Sequence, residues 1–331
     1  SAMAMRHIPA TFAPNCSRTS ESCRWGSCEA SLGVADNFSP HPVRDAEVHR
    51  LLGLAFATNA ANVPQAITEG PHMRDFHFNG RSPTLGVNGM VATSHPLAAT
   101  EALDVLKSGG NAVDAAIAGA VLLGVCEPHM TGIGGDFFAL VKPAGSNEVV
   151  SLNASGRAPK GLDPEALRAN GLKTIEQENV ASVTLPGAID GFCRLSERFG
   201  RAGLERSLAP SIKYFEEGVP IASRVAFDLK DLGDQMDANA RRFFLPEGRP
   251  LAHGERLALP GQADILRRIA KHGRAAFYEG EVADDMLAAL HAKGGTHTAE
   301  DFAAVEATWG TPISGGYKGH DMLEHPPNGQ G

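Results

Sequence analysis

Aromatic side chains make up only 6% of this 331-residue chain, with two tryptophans and three tyrosines. So small a supply argues against an aromatic-rich β-sandwich. The 37 glycines, beside abundant alanine, point instead to closely packed helices and many tight turns. No uninterrupted apolar run is long enough to span a bilayer, which excludes a transmembrane helix. A surplus of positive charge is also missing. Thirty Lys and Arg face 38 Asp and Glu, for a formal charge of −8. A chain without clustered cations binds phosphate backbones poorly, so nucleic acid is not an expected partner. Cysteine is sparse and odd in number: Cys16, Cys23, Cys28, Cys126 and Cys193. That does not read as a disulfide framework. A zinc reading of the first three stays open, although their spacing is not that of a knuckle. Cys126 and Cys193 sit in apolar surroundings and read as small buried hydrophobes. No pair of histidines has helical metal spacing with a third ligand nearby, and no cofactor is expected. The thirteen histidines read mostly as surface or N-terminal residues.

Residues 1–85 are rich in Ser, Asn, Pro, His and Arg, without sustained periodicity, and read as a disordered or loosely packed arm. Ser1–Ala4 resemble an expression scar. The apolar run Leu51–Ala57 has the flavour of a signal-peptide core, but it lies too far in and has an acidic flank. The compartment stays undetermined.

The texture changes at Gly89, and residues 86–331 read as the folded domain. Met90–Thr93 has the pattern of a short buried strand, Ser94 that of an N-cap, and Pro96 that of a first helical turn. Ala98, Ala102, Val105 and Leu106 recur at helical spacing up to the Gly109-Gly110 stop. Asn111 then caps a helix with Asp114 at its third position. Nearly every residue from Ala112 to Val125 is apolar or small, so that helix is expected to be buried on all sides. A hairpin follows, Phe137–Val141 with Val149–Asn153. Helices are expected near 164–169, 187–199, 204–217, 222–239, 261–272, 281–293 and 298–306. The tail returns to β structure at Thr311–Tyr317 and His320–Glu324.

Three motifs invite a chemical reading. The glycine loop 132–135 follows a helix and precedes a strand, the reverse of a dinucleotide fingerprint, so no helix N-terminus is on hand for a phosphate. It is either a tight crossover or a loop beside a substrate. Thr298 lies between a glycine stop and an acidic first turn, which makes it a helix cap rather than a nucleophile. Arg157 follows a strand, with Ser155 two residues before it. Alternate residues share a face, so the pair either clamps a substrate carboxylate or Arg157 makes an ordinary surface ion pair.

The run Lys107-Ser108-Gly109-Gly110-Asn111-Ala112-Val113-Asp114-Ala115-Ala116 resembles the large subunit of γ-glutamyltranspeptidases. So do Gly132–Gly135, Asn153–Pro159, Leu185-Pro186-Gly187, Gly294-Gly295 with Thr298–Asp301, and Pro312–Gly315, all in the right order over about 86–331. The resemblance implies a helix-rich α+β fold, the αββα sandwich of N-terminal-nucleophile hydrolases. It also implies an autoprocessing proenzyme whose small subunit exposes a threonine that attacks a carboxylate-bearing amide. The sequence ends at Gly331, before that threonine, so this chain is expected to hold no catalytic residue and to need the small subunit as its partner. In the family's block Asn-Ala-Arg-Glu-x-Ala-Pro the arginine clamps the substrate carboxylate. Anchoring on Ala158-Pro159 places Ser155 at the arginine and Gly156 at the glutamate. Ser155 and Arg157 are thus the candidate substrate-binding residues, and a related amidohydrolase, an oxamate-type amidase or a cephalosporin-type acylase, fits as well as a glutathione enzyme. A noncatalytic homologue acting as a binding module is the rival reading.

Overall fold

The computed structural model describes residues 84–329 apart from Gln177. The three clustered cysteines, Leu51–Ala57 and nearly all of the expected 1–85 arm lie outside them. Helix α1, Pro96–Lys107, buries Ala98, Ala102 and Val105. Its cap is His95, whose Nδ1 accepts from the Leu97 N–H at 3.2 Å. The expected cap, Ser94, instead donates its hydroxyl to Glu127 at 2.7 Å. Met90–Thr93 forms no strand, and Met90 is 56% exposed, because among the described residues no strand pairs with this segment.

Gly109, at φ +96°, turns the chain into α2, Ala112–Cys126. A residue with a Cβ is strained there. Asn111 and Asp114 close a reciprocal capping box. Asp114 does more than cap. Its buried carboxylate also accepts the Arg201 and Ala202 N–H groups, both at 3.0 Å, while the Asn111 amide donates to the Phe199 carbonyl at 2.6 Å. One short motif therefore fastens α2 to a loop some 87 residues away. Most of α2 is buried, as its all-round apolarity requires, with Ala112 and Ala116 as exposed exceptions.

The strands β1 (Phe137–Val141), β2 (Val150–Ala154) and β5 (Thr308–Gly310) form an antiparallel sheet with β2 in the middle. Phe137 pairs with Ala154, Val141 with Val150, and Leu152 with Trp309. Phe137, Ala139, Leu152, Ala154 and Trp309 therefore share one face. Helix α4, Ala188–Phe199, covers that face: Phe192 stacks on Phe137 at 4.5 Å, and Phe199 meets Trp309 edge-on at 5.6 Å. Phe138, Leu140, Ser151, Asn153 and Thr308 occupy the other face.

Helices α3 (Pro164–Ala169), α5 (Leu204–Glu217), α6 (Ser223–Leu232), α7 (Ala238–Phe244), α8 (Pro260–His272), α9 (Ala275–Tyr278), α10 (Glu281–His291) and α11 (Ala299–Ala303) complete the helical part. Its core contains Leu122, Leu195, Leu208, Phe215, Leu229, Phe277 and Phe302. The single helix expected over 222–239 is broken. A 3₁₀ turn at Gly233–Gln235 follows α6, and Asp237 caps α7 by accepting from the Ala240 N–H at 2.9 Å. Strand β5 and the pair β3–β4 (Val219–Pro220 with Arg256–Leu257) are further additions to the sequence reading. So is α9, too short to show a period. The expected strand from Thr311 begins at Ile313, as β6 (Ile313–Tyr317), and pairs with β7 (His320–Glu324) through a Lys318-Gly319 turn of positive φ. The fold is α+β and helix-rich. Among the described residues no helix is long and apolar enough to cross a membrane.

Candidate functional site

The chain leaves β2 at Ala154 and enters a stretch held from three sides. Asp136, which follows the glycine loop, accepts the Gly156 N–H at 3.0 Å. The Leu185 N–H donates to the Arg157 carbonyl at 2.9 Å. The Asp301 carboxylate, which also closes a capping box with Thr298, accepts the Lys160 N–H at 3.3 Å. His297 is buried and bonds through Nε2 to the Val183 carbonyl, two residues before Leu185, at 2.9 Å. Backbone meets backbone so closely that a Cβ at position 156 would collide with the Leu185 carbonyl. Glycine is obligatory there for steric reasons.

Beside this stretch lies an open cleft of about 320 Å³, lined by Asn153, Ser155, Gly156, Arg157, Ala158, Glu306, Thr308 and Asn328. Ser155 and Arg157 line the same cleft, both beyond the end of β2 rather than on it. The Arg157 side chain is exposed and makes no ion pair among the described residues. Glu306 is paired with Arg194 at 3.0 Å. Arg194 also bonds, at 2.8 Å, to the buried Asp190, which in addition holds Arg274 at 2.7 Å and the Ala307 N–H at 2.6 Å. Asp190 on α4 thereby positions the rim that carries Glu306 and Thr308. Sequence reading missed it, since its partners lie up to 117 residues away.

Asn328 was missed as well. It lies about 173 residues from Ser155, yet its amide sits 2.9 to 3.0 Å from the Ser155 hydroxyl and 2.8 Å from the Asn153 amide. The histidines also depart from expectation: His129, His297 and His325 are buried. His129 bonds to Asp228 on α6 at 2.9 Å, and burial pushes its pKa down. Cys126 is buried and Cys193 partly so, and burial pushes both thiols up to about 12, which leaves almost no thiolate at neutral pH. Among the described residues no group of three or more His, Cys, Asp or Glu side chains is placed to hold a metal.

The glycine loop does lie against a helix start, that of α4, but its own backbone occupies it. Its Gly135 carbonyl accepts the Gly187 and Ala188 N–H groups at the start of α4, at 3.1 and 3.0 Å. A Cβ at Gly132 or Gly134 would meet no atom within 4 Å, so the crossover reading by clash fails at those two positions.

The family model for γ-glutamyltranspeptidase matches residues 98–331. The chain belongs to the γ-glutamyltranspeptidase family. It is 35% identical over 252 residues to the glutathione hydrolase proenzyme of Bacillus subtilis, covering 75% of this chain and 43% of that protein. The chain thus spans less than half of that relative. Among solved structures it is similar to a cephalosporin acylase from Bacillus halodurans, with 41% identity and a TM-score of 0.71 over 78% of this chain and 49% of that one. The γ-glutamyltranspeptidase of Helicobacter pylori gives 28% identity and a TM-score of 0.70, over 74% and 72%.

Proposed function

We propose that this chain is the large-subunit portion of an autoprocessing amide-cleaving enzyme that acts on an acyl group bearing a carboxylate. The observation that carries this reading is the cleft itself. An arginine without an ion pair among the described residues and a serine hydroxyl line one cleft, just past the end of β2 and beside Asn153 and Thr308 of the sheet face turned away from α4. In this mechanism Arg157 and Ser155 hold the carboxylate and fix where the amide carbonyl falls. The N-terminal threonine of the small subunit supplies the hydroxyl, and its α-amino group takes the proton. An ester forms between that oxygen and the acyl carbon, the C–N bond breaks, and the proton passes to the departing amine. Water or an acceptor amine then releases the acyl group.

The steric requirement for glycine at 156 favours an acyl group other than γ-glutamyl. A glutamate at that position, as the family's block has it, is barred by the Leu185 backbone, and serine stands where the bidentate arginine would be. The likeness to an acylase points the same way. Arg157 still offers one cation, which suits a single carboxylate without a neighbouring ammonium. A denaturing gel of the expressed proenzyme tests maturation, with two fragments expected. An activity screen then sets γ-glutamyl anilide against glutaryl anilide and oxamate, with the γ-glutamyl compound expected to be the poorest. A single uncut band, or no turnover of any carboxylated amide, overturns the reading.

A further inference from the structure

We propose that Asn328 is a substrate-binding and specificity-determining residue of this cleft, completing a set of hydrogen-bond donors that selects a carboxylate over an uncharged acyl end. The inference rests on the amidase reading above and adds to it a residue from the far end of the chain.

The hydrogen bonds fix which way each amide points. The Ser155 N–H donates to one side-chain atom of Asn153 at 2.9 Å, so that atom is the Asn153 oxygen. The Asn153 nitrogen then faces Asn328 at 2.8 Å, so the atom it meets is the Asn328 oxygen. That leaves the Asn328 nitrogen as a donor, 2.9 Å from the Ser155 oxygen. The Ser155 hydroxyl now has an accepted bond and one proton to place. In the structure that proton points at the Asn328 oxygen at 3.0 Å, which already accepts from Asn153. A ligand oxygen in the cleft therefore draws the proton away without orphaning any group. Together with the exposed Arg157 guanidinium, the cleft offers its ligand a rotatable O–H, amide N–H groups and one cation. Its lone carboxylate, Glu306, is bonded to Arg194. An array of this kind matches a group that is all acceptor and negative, namely a carboxylate.

Asn328→Asp is nearly isosteric and reverses this logic. The new oxygen would take the Ser155 proton and add a negative charge opposite the ligand. The test uses the mature two-subunit protein and two anilides of equal chain length, glutaryl and valeryl p-nitroanilide. The variant should raise KM for the glutaryl compound roughly ten- to hundredfold. Its kcat should stay within about threefold, and KM for the valeryl compound within about twofold. Titration calorimetry with glutarate and with oxamate reads binding without turnover, and affinity for whichever binds should fall by the same factor as KM rises. Equal changes for both anilides would show a merely structural role and overturn the proposal. So would unchanged carboxylate affinity in the variant, or a wild-type protein that binds neither anion. If neither anilide is turned over, the amidase reading fails while the titrations still decide the role of Asn328.

Discussion

Alternate residues of β1, β2 and β5 face opposite ways, and the two faces of their sheet have become different environments. The helix-backed face is Phe137, Ala139, Leu152, Ala154 and Trp309 against α4, with Leu152 fully buried. The opposite face carries Asn153 and Thr308 with the exposed apolar residues Phe138 and Leu140, and it continues into Ser155 and the cleft. One face is closed by this chain's own packing. The other is only partly covered among the described residues: Ser151 is buried and Phe138 meets the His325 ring at 4.9 Å, while Leu140 stays exposed. If the proposed site is right, stability and ligand capture are separated by one residue of register, and substitutions on the two sides should fail in different ways.

The largest effect is expected behind the closed face, at Asp190. Its carboxylate is fully buried and joins Arg194, Arg274 and the Ala307 N–H. Asp190→Ala removes the buried carboxylate that Arg194 and Arg274 share, leaving Arg194 with Glu306 and Arg274 with the Ala303 and Val305 carbonyls, and takes the acceptor from the Ala307 N–H; it should cost about 3 kcal/mol, read as a shift in the urea midpoint. A loss below about 1 kcal/mol would mean that water replaces the carboxylate there, and that the network is not what holds the Glu306 rim. Next comes Gly156→Ala at the boundary between the two regions. The collision with the Leu185 carbonyl should cost about 3 kcal/mol and also displace Ser155 and Arg157, so stability and substrate capture fall together. On the α1–α2 contact, Gly119→Leu should cost about 1–3 kcal/mol, because a Cβ there already sits 3.6 Å from Ala102 and leaves no space for a larger side chain. A thermal melt of each variant checks both.

Arg157→Ala sharpens the comparison from the open side. Arg157 is exposed and unpaired among the described residues, so its loss should leave stability within about 0.5 kcal/mol. Self-cleavage should proceed, while KM for a carboxylated amide rises with little change in kcat. Unchanged kinetics would remove Arg157 from the site.

Much of the fold was legible because its signals are local. The capping boxes of Asn111–Asp114 and Thr298–Asp301 each lie within four residues, and the β1–β2 hairpin announces itself by alternation and a turn. Ser155 and Arg157 could be paired because they are two residues apart. Asn328, Asp190 and the buried histidines could not be found this way. A polar side chain becomes buried or functional through its partner, and the distant partners of Asn328, Asp190, His129 and His297 are about 84 to 175 residues away. The misplaced Met90–Thr93 strand is the same lesson in reverse: an apolar run becomes a strand only where another strand meets it.

The smallest expected effect tests whether buried polar pairs on the helical side behave as the geometry says. His129 is enclosed, bonded to Asp228, with Arg224 on the same carboxylate at 2.7 Å. Its pKa lies below the ordinary 6.5, burial being the largest cause. Below about pH 6.5 the unfolded chain therefore takes up a proton that the folded chain refuses. Stability is intact above that pH and falls as the pH drops from 6.5 towards the lowered folded value. The single-proton limit on the slope is about 1.4 kcal/mol per pH unit. Urea unfolding at pH 7.5 and 5.5 reads the difference, and His129→Gln should flatten it. If wild type and variant lose stability in parallel over that interval, the Asp228 charge is compensating the burial of the imidazole in full, and the pair is an ion pair rather than a neutral hydrogen bond.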